Sequence, residues 1–306
     1  MLYAVRHKTR FRYAFPVSVA RCNLRLKPVD WAGQTLEHYE LDVSPAALVN
    51  HMRSTGYLGN VTRMNLDRPT RELVIESRFR IRIDRPTPSP LPGDPIVAET
   101  AAAARATADL SVESPVNYIY PSPTIPLVPE ITAWCTPHLD QARGVVEAGL
   151  VLAREIHRSF TYDGSATTVD TSPNEAFRKR HGVCQDFAQI MIAGLRAAGL
   201  PAAYVSGYLR TIPPPGKQRL VGADATHAWV VIWCGPARGW LGFDPTNGCM
   251  VGSDHIITAM GRDYGDVAPI DGVFTGQDGQ KIDVSVDVEP IGSSGGEISD
   301  AGAGSL

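Results

Sequence analysis

No run of about 18 apolar residues occurs in the chain, which removes a membrane-spanning helix as a reading. No Cys-x-x-Cys pair occurs either. The five cysteines, Cys22, Cys135, Cys184, Cys234 and Cys249, are odd in number and widely spaced. That pattern argues against a disulfide framework and against a structural zinc site. Reduced thiols in a reducing compartment fit it better. The string Met1-Leu2-Tyr3-Ala4-Val5-Arg6-His7 lacks the apolar region of a signal peptide, so the expected location is cytoplasmic. A large charge excess is missing too. The net charge of −3 speaks against general nucleic-acid binding. No Asp-x-[Asp/Asn]-x-[Asp/Asn]-Gly loop is present, so calcium dependence is not implied. No internal repeat is visible.

What is present suits a globular protein with a sizeable core. The chain has 306 residues, 43% hydrophobic and 20% charged, with room for two domains. Residues 1–85 alternate apolar and polar positions in several short runs, among them Arg10-Phe11-Arg12-Tyr13, residues 36–43 and residues 73–83. Pro16, Tyr57-Leu58-Gly59-Asn60 and Pro69 read as turn signals between them. The expectation is an N-terminal antiparallel β-domain over residues 1–85. Pro86, Pro88, Pro90, Pro92 and Pro95 follow as an extended linker, residues 86–97. A core then spans residues 98–289, and a Gly/Ser-rich tail, residues 290–306, is expected to be disordered.

Charge is unevenly divided. Residues 1–90 carry fifteen Lys/Arg against eight Asp/Glu. Arg78, Arg80 and Arg82 alternate with Phe79, Ile81 and Ile83, which puts the arginines on one face of a strand. A solvated face accounts for this pattern better than an anion-binding surface.

Within the core, residues 98–108 are alanine-rich and residues 145–160 predict a helix. A second helix carries Cys184, Phe187, Ala188, Met191 and Leu195 on one face and ends at Gly199 and Pro201. Residues 204–209 predict a strand. Residues 211–226, with Pro213-Pro214-Pro215-Gly216, predict a mobile loop. Residues 227–233 and 240–244 predict a hairpin around Gly235-Pro236.

A cysteine at a helix start has a physical advantage. The positive end of the helix and its unpaired N–H groups stabilise a thiolate and can donate to an oxyanion. Gly182 allows close backbone approach. Taken alone, Cys184 serves equally well as the first residue of a buried apolar stripe. The hairpin adds the rest of a triad. If it is symmetric about Gly235-Pro236, His227 lies directly opposite Asp244, on the same face. The carboxylate then accepts a bond from the imidazole and leaves the other nitrogen for Cys184. A structural histidine beside a turn-capping Asp244 is the plainer alternative.

The strings His181-Gly182-Val183-Cys184-Gln185-Asp186-Phe187, His227-Ala228-Trp229 and Asp244-Pro245-Thr246-Asn247 together resemble the three core motifs of the transglutaminase-like superfamily. The resemblance to its bacterial branch runs from about residue 1 to residue 289. Tyr57-Leu58-Gly59-Asn60, Tyr204-Val205-Ser206-Gly207-Tyr208-Leu209 and Gly261-Arg262-Asp263-Tyr264 resemble further strings of that branch. It implies an α+β fold, a β-domain followed by a papain-like core with a helix packed on an antiparallel sheet. It also implies a catalytic triad of Cys184, His227 and Asp244. Relatives include cross-linkers, deamidases, peptidases and inactive members, so the reaction stays open on resemblance alone.

The expected function is thiol-dependent acyl transfer on a peptide or glutamine amide, hydrolytic in outcome, with a protein or peptide as substrate. The alternatives are a silent peptide- or partner-binding scaffold and a true amine-transferring transglutaminase. The chemistry needs no metal and no organic cofactor, and neither a nucleic acid nor a membrane is an expected partner. Trp229, Gln185 and Asp224 stand as candidate substrate contacts, although Trp229, on the same strand face as His227, reads as core packing first. Gln185 follows the cysteine rather than preceding it, so it is not assigned to the oxyanion hole. Asp186 reads as a helix-start carboxylate. Asp224, His255, Arg262 and Asp263 read as structural before they read as rim residues, and His157 and His181 as surface residues.

Overall fold

The alternation in the first 85 residues is realised as six strands: β1 (Leu2–Val17), β2 (Val19–Leu24), β3 (Gln34–Ser44), β4 (Leu48–Arg53), β5 (Leu58–Leu66) and β6 (Thr70–Ile83). The computed structural model describes residues 1–211, 225–276 and 279–292. The Pro213-Pro214-Pro215-Gly216 segment and residues 293–306 of the expected tail lie outside them.

On β1, Tyr3, Val5, His7 and Thr9 point inward, and on β6 Leu73, Ile75, Phe79, Ile81 and Ile83 do the same. The intervening arginines form a solvated face. Arg78 pairs with Glu76 at 2.8 Å and with Asp42, and Arg82 with Glu37 at 2.6 Å. Such exposed pairs contribute little to stability. Tyr57-Leu58-Gly59-Asn60 is the lead-in to β5 rather than a turn.

No helix or strand occupies residues 84–95. The chain continues as α1 (Val97–Arg105), α2 (Pro129–Cys135), α3 (Val145–Ser159), β7 (Thr161–Tyr162), α4 (Pro173–Lys179), β8 (His181–Gly182) and α5 (Cys184–Ala197). Then follow β9 (Ala202–Leu209), β10 (Ala225–Trp233), β11 (Trp240–Asp244), β12 (Cys249–Met250), β13 (His255–Gly261), α6 (Tyr264–Val267), β14 (Ile270–Thr275) and β15 (Gln280–Ile291). The result is an α+β protein with mainly antiparallel sheets.

A four-stranded sheet has the order β15-β1-β6-β3, and a nine-stranded sheet runs β12-β11-β10-β9-β13-β5-β2-β14, with β4 on β5. This corrects the expected domain limits in two places. β15 pairs along β1 from Leu2↔Ile291 to Tyr13↔Gln280, so the end of the chain completes the N-terminal sheet and stays in a strand past residue 289. β5 also joins β13 through Gly59↔Ala259, so one sheet runs through both parts. The cause is pairing between distant segments, which local periodicity does not encode.

The helix α5 packs on β9 and β10. Phe187, Ala188, Met191 and Leu195 are buried there with Tyr204, Val230, Ile232 and Phe243. Such fully buried large side chains contribute about 1.5–3 kcal/mol each. The opposite side of the same strands buries Val205, Trp229 and Val231, together with Ile257 of β13. Covering on both sides explains why β9 reads as an apolar run without alternation. Among the described residues, no helix is long and apolar enough to cross a membrane.

Candidate active site

Cys184 is the first residue of α5, and the local sequence fixes that start. Val183 is extended, with φ −116° and ψ −179°, and its N–H donates to the Asp186 carboxylate at 2.8 Å. That bond is the carboxylate half of a capping box. Thr167 Oγ1 donates to the same Asp186 oxygen at 2.7 Å. Burial raises the Asp186 carboxyl above its ordinary value, against the pull of these bonds. The carboxylate tucks under Gly182, where an added Cβ would come within 2.6 Å of it. At the first helical position, the Cys184 N–H has no acceptor within the helix.

His227 arrives on β10, between β9 and β11. The hairpin pairs Val230 with Phe243 and Trp233 with Trp240. Continued, this register sets Asp244 opposite Trp229 and corrects the predicted pairing of His227 with Asp244 by two residues. The turn is the reason. Arg238 N–H donates to the Gly235 carbonyl at 3.2 Å, so Pro236 and Ala237 are the central residues. Proline at the second position of such a turn is the favoured placement. A two-residue shift preserves side-chain parity. His227 and Asp244 therefore still share a face, as diagonal neighbours, and His227 Nε2 reaches Asp244 Oδ2 at 2.8 Å.

Asp244 is 0% exposed and fully engaged. Oδ1 accepts the N–H groups of Thr246 and Asn247 at 2.9 and 3.1 Å. Oδ2 accepts Asn247 Nδ2 at 2.6 Å, His227 Nε2 at 2.8 Å and His255 Nε2 at 3.1 Å. Turn capping and imidazole binding thus fall to different oxygens of one carboxylate. Burial disfavours its charge, yet the hydrogen bonds from His227 and His255, together with the charge on His227, hold the carboxyl far below its usual range. Burial also works against a charged His227. Hydrogen bonds with Asp244 and Cys184, and the charges of both, overcome it and raise the imidazole to about 10. With Nε2 on Asp244, Nδ1 is the nitrogen that faces the thiol.

One ligand-type atom from each of His227, Asp244 and His255 lies within 4.8 Å of the others, a spacing that could hold a metal ion. The hydrogen-bond pattern fits protons there better. Gly252 N–H points at His255 Nδ1 at 3.4 Å, which leaves the ring proton on Nε2, where a metal would need a lone pair.

The other candidates fall elsewhere. Trp229 is fully buried, its ring 5.9 Å from that of His227 and 5.3 Å from that of His255. It backs both imidazoles from the core, in keeping with core packing and against the candidate substrate contact. The Gln185 side-chain amide donates to the Val169 carbonyl at 3.1 Å and is tied to the preceding loop. Asp224 lies outside the described residues. Asp263 caps α6 by accepting from Gly265 N–H, and Arg262 pairs with Asp266. His157 donates from Nδ1 to the Thr246 carbonyl at 2.8 Å, and His181 bonds the Lys179 carbonyl; both are exposed. His255 is the residue whose place the sequence understates. Its signal is faint: a histidine at the head of the apolar run Ile256-Ile257.

Residues 3–82 match the bacterial transglutaminase-like N-terminal region, and residues 126–245 match the transglutaminase-like superfamily. Uncharacterized proteins of Mycobacterium bovis and Mycobacterium tuberculosis are each 38% identical over 296 residues, spanning 94% of this chain and 93% of theirs. A protein-glutamine gamma-glutamyltransferase of Pseudomonas aeruginosa is 40% identical over 99 residues, 31% of this chain and 15% of that protein. Among solved structures, a candidate cysteine protease from Cytophaga hutchinsonii superposes with a TM-score of 0.72. The match covers 96% of this chain and 92% of that one at 17% identity, which is a likeness of fold.

Proposed function

This chain belongs to the transglutaminase-like superfamily, in the bacterial form with its own N-terminal region, and we propose that it performs thiol-dependent acyl transfer on a peptide or glutamine amide, with water as the acceptor. The fold is α+β with a papain-like core, and the family is one of thiol-dependent enzymes. In this reading Cys184 is the nucleophile, His227 the base and Asp244 the orienter. The observation that carries it is the 2.8 Å bond from His227 Nε2 to a buried, fully bonded Asp244, with Cys184 on the other side of the imidazole at a helix start.

Cys184 Sγ attacks the acyl carbon, and its proton passes to His227 Nδ1. The Cys184 backbone N–H donates to the oxyanion. The amide nitrogen leaves with the proton from His227, as ammonia or an amine, and a thioester remains. Water then attacks the thioester, gives a proton to His227 and releases the carboxylic acid, and the thiol is restored. Asp244 fixes the tautomer throughout. These steps use side chains, one backbone N–H and water. A reducing, cytoplasmic compartment belongs to the proposal, because the nucleophile must remain a free thiol.

The test is a panel of glutamine-bearing peptides, with ammonia release and chain cleavage followed separately. Intact-mass analysis should find a transient acyl adduct on Cys184, and Cys184→Ala should abolish both products. Turnover that survives in Cys184→Ala would sink the reading. A panel with no turnover and no adduct would favour a binding scaffold instead.

A further inference from the structure

His255 is 5% exposed, lies at the head of β13 and takes no part in the steps above. We propose that His255 is a positioning residue: as a neutral Nε2–H donor it holds Asp244 in the orientation that receives His227. The inference rests on the reading of Cys184, His227 and Asp244 as a triad.

The tautomer follows from the backbone. An amide N–H can only donate, and Gly252 N–H points at His255 Nδ1 at 3.4 Å. Nδ1 therefore accepts, and Nε2 carries the proton toward Asp244 Oδ2 at 3.1 Å. The ring is held on other sides as well. Trp229 meets it edge-on, with centroids 5.3 Å apart and planes at 77°. Arg85 Nη2 donates to the His255 carbonyl at 2.8 Å and the Gly252 carbonyl at 3.3 Å, so the turn that sets the tautomer is itself pinned.

Both imidazoles bond one oxygen. Oδ2 also accepts Asn247 Nδ2, and His255 supplies the donor from β13 that keeps this oxygen turned toward His227, so that His227 retains its charged partner. The charged and titratable groups around this cluster are few among the described residues. They are Cys184 on α5, His227 on β10, Asp244 on β11 and Cys249 on β12, which pairs with Asp244. Arg85 comes from the segment after β6. Asp254 precedes β13, held by Arg210 at 2.8 Å and by the Tyr3 hydroxyl of β1 at 2.9 Å.

The experiment follows alkylation of Cys184 by iodoacetamide against pH in the full chain, with peptide mapping, for wild type, His227→Gln, His255→Phe and His255→Gln. His255→Phe should slow the reaction by about 10-fold or more, the scale of one lost charge-assisted hydrogen bond, and move its midpoint to higher pH. In His255→Gln the side-chain nitrogen can still reach Oδ2, and the rate should stay within about threefold of wild type. Equal effects of both variants, with no movement of the midpoint, would reduce His255 to a packing residue and overturn the proposal. If His255→Phe does not fold, nitrogen NMR of the wild-type imidazoles decides. The His255 ring should carry its proton on Nε2 and leave Nδ1 as an acceptor, and an Nδ1–H tautomer overturns the proposal. An unchanged profile in His227→Gln would remove the triad itself and this inference with it, whereas a failure confined to the His255 variants leaves the triad standing.

Discussion

The indole of Trp229 fills the space that a side chain at Gly207 would need. A Cβ on Gly207 would lie 2.5 Å from Trp229 Cη2 and 2.1 Å from the Ile256 carbonyl oxygen. Gly207 pairs with His227 on β10 and with Ile257 on β13. The bare position in the strand between them lets the indole reach both imidazoles. Gly207→Ala is therefore expected to cost about 1–3 kcal/mol, the usual size of overpacking in a filled core. It should also slow Cys184 alkylation, because Trp229 must shift against His227. Denaturant unfolding and alkylation rates check the two effects, and an alanine variant as stable as wild type would show that the strand gives way freely.

The placement of Cys184, His227 and Asp244 was legible because each part rests on a local rule. Gly182 and Val183 stop the chain before an amphipathic stripe, which places Cys184 at a helix start. Parity along a hairpin puts His227 and Asp244 on one face whatever the exact register. The register itself depends on Pro236 taking the second place of the turn, which symmetry about Gly235-Pro236 misplaces by two residues. His255 was not legible as a partner of Asp244, because it comes near only when β13 lies against β9. The same holds for β15. Val284, Val286 and Val288 alternate in plain view, but nothing near them names β1 as the strand they join.

Cys184 should be alkylated ahead of the other four thiols near neutral pH. Burial pushes Cys22 and Cys249 up to about 11, and Cys135 to about 12, with the Asp244 charge adding to the effect at Cys249. Burial raises Cys234 as well. These four are poor thiolate sources at pH 7, whereas Cys184 is half-buried beside His227. Limiting iodoacetamide followed by peptide mapping reads the order. Equal labelling of Cys22 or Cys249 in the folded protein would count heavily against Cys184 as the nucleophile.

Asp244→Asn should reduce turnover far more than it disturbs the fold. An amide can present its nitrogen to His227 and select the wrong tautomer, and a loss on the order of 10²-fold or more is expected, below the roughly 10⁴ of a comparable triad mutant. Stability supplies a second readout. The Asp244 carboxyl is depressed from 3.8, so its contribution is present above that value and is lost as pH falls. His227 is raised from 6.5 to about 10, so its contribution is complete below 6.5 and is lost as pH rises toward 10. The Tm advantage of wild type over Asp244→Asn should be largest between these ordinary values and shrink as pH climbs past 6.5. A gap that stays constant up to pH 10 would mean that the two side chains are not coupled.

Hydrolysis rather than cross-linking is the expected outcome of the thioester. An amine competes with water only when a binding site positions it or when water is kept out. Tyr162, whose phenol is raised by burial and by the charge of nearby Cys184, is 59% exposed, so the nucleophile is expected to be open to solvent from the side of β7. No acidic side chain among the described residues pairs with Cys184 in a way that would draw an ammonium group to it; Asp186 beside it is taken up by Val183 and Thr167. With a glutamine-bearing peptide and an added primary amine, the acid product should therefore exceed the amine adduct at millimolar amine. Tyr162→Ala should leave that ratio in favour of water, since it opens the same side further. Dominant amine adducts that require Cys184 would reverse the choice of acceptor and leave the assignment of Cys184, His227 and Asp244 intact.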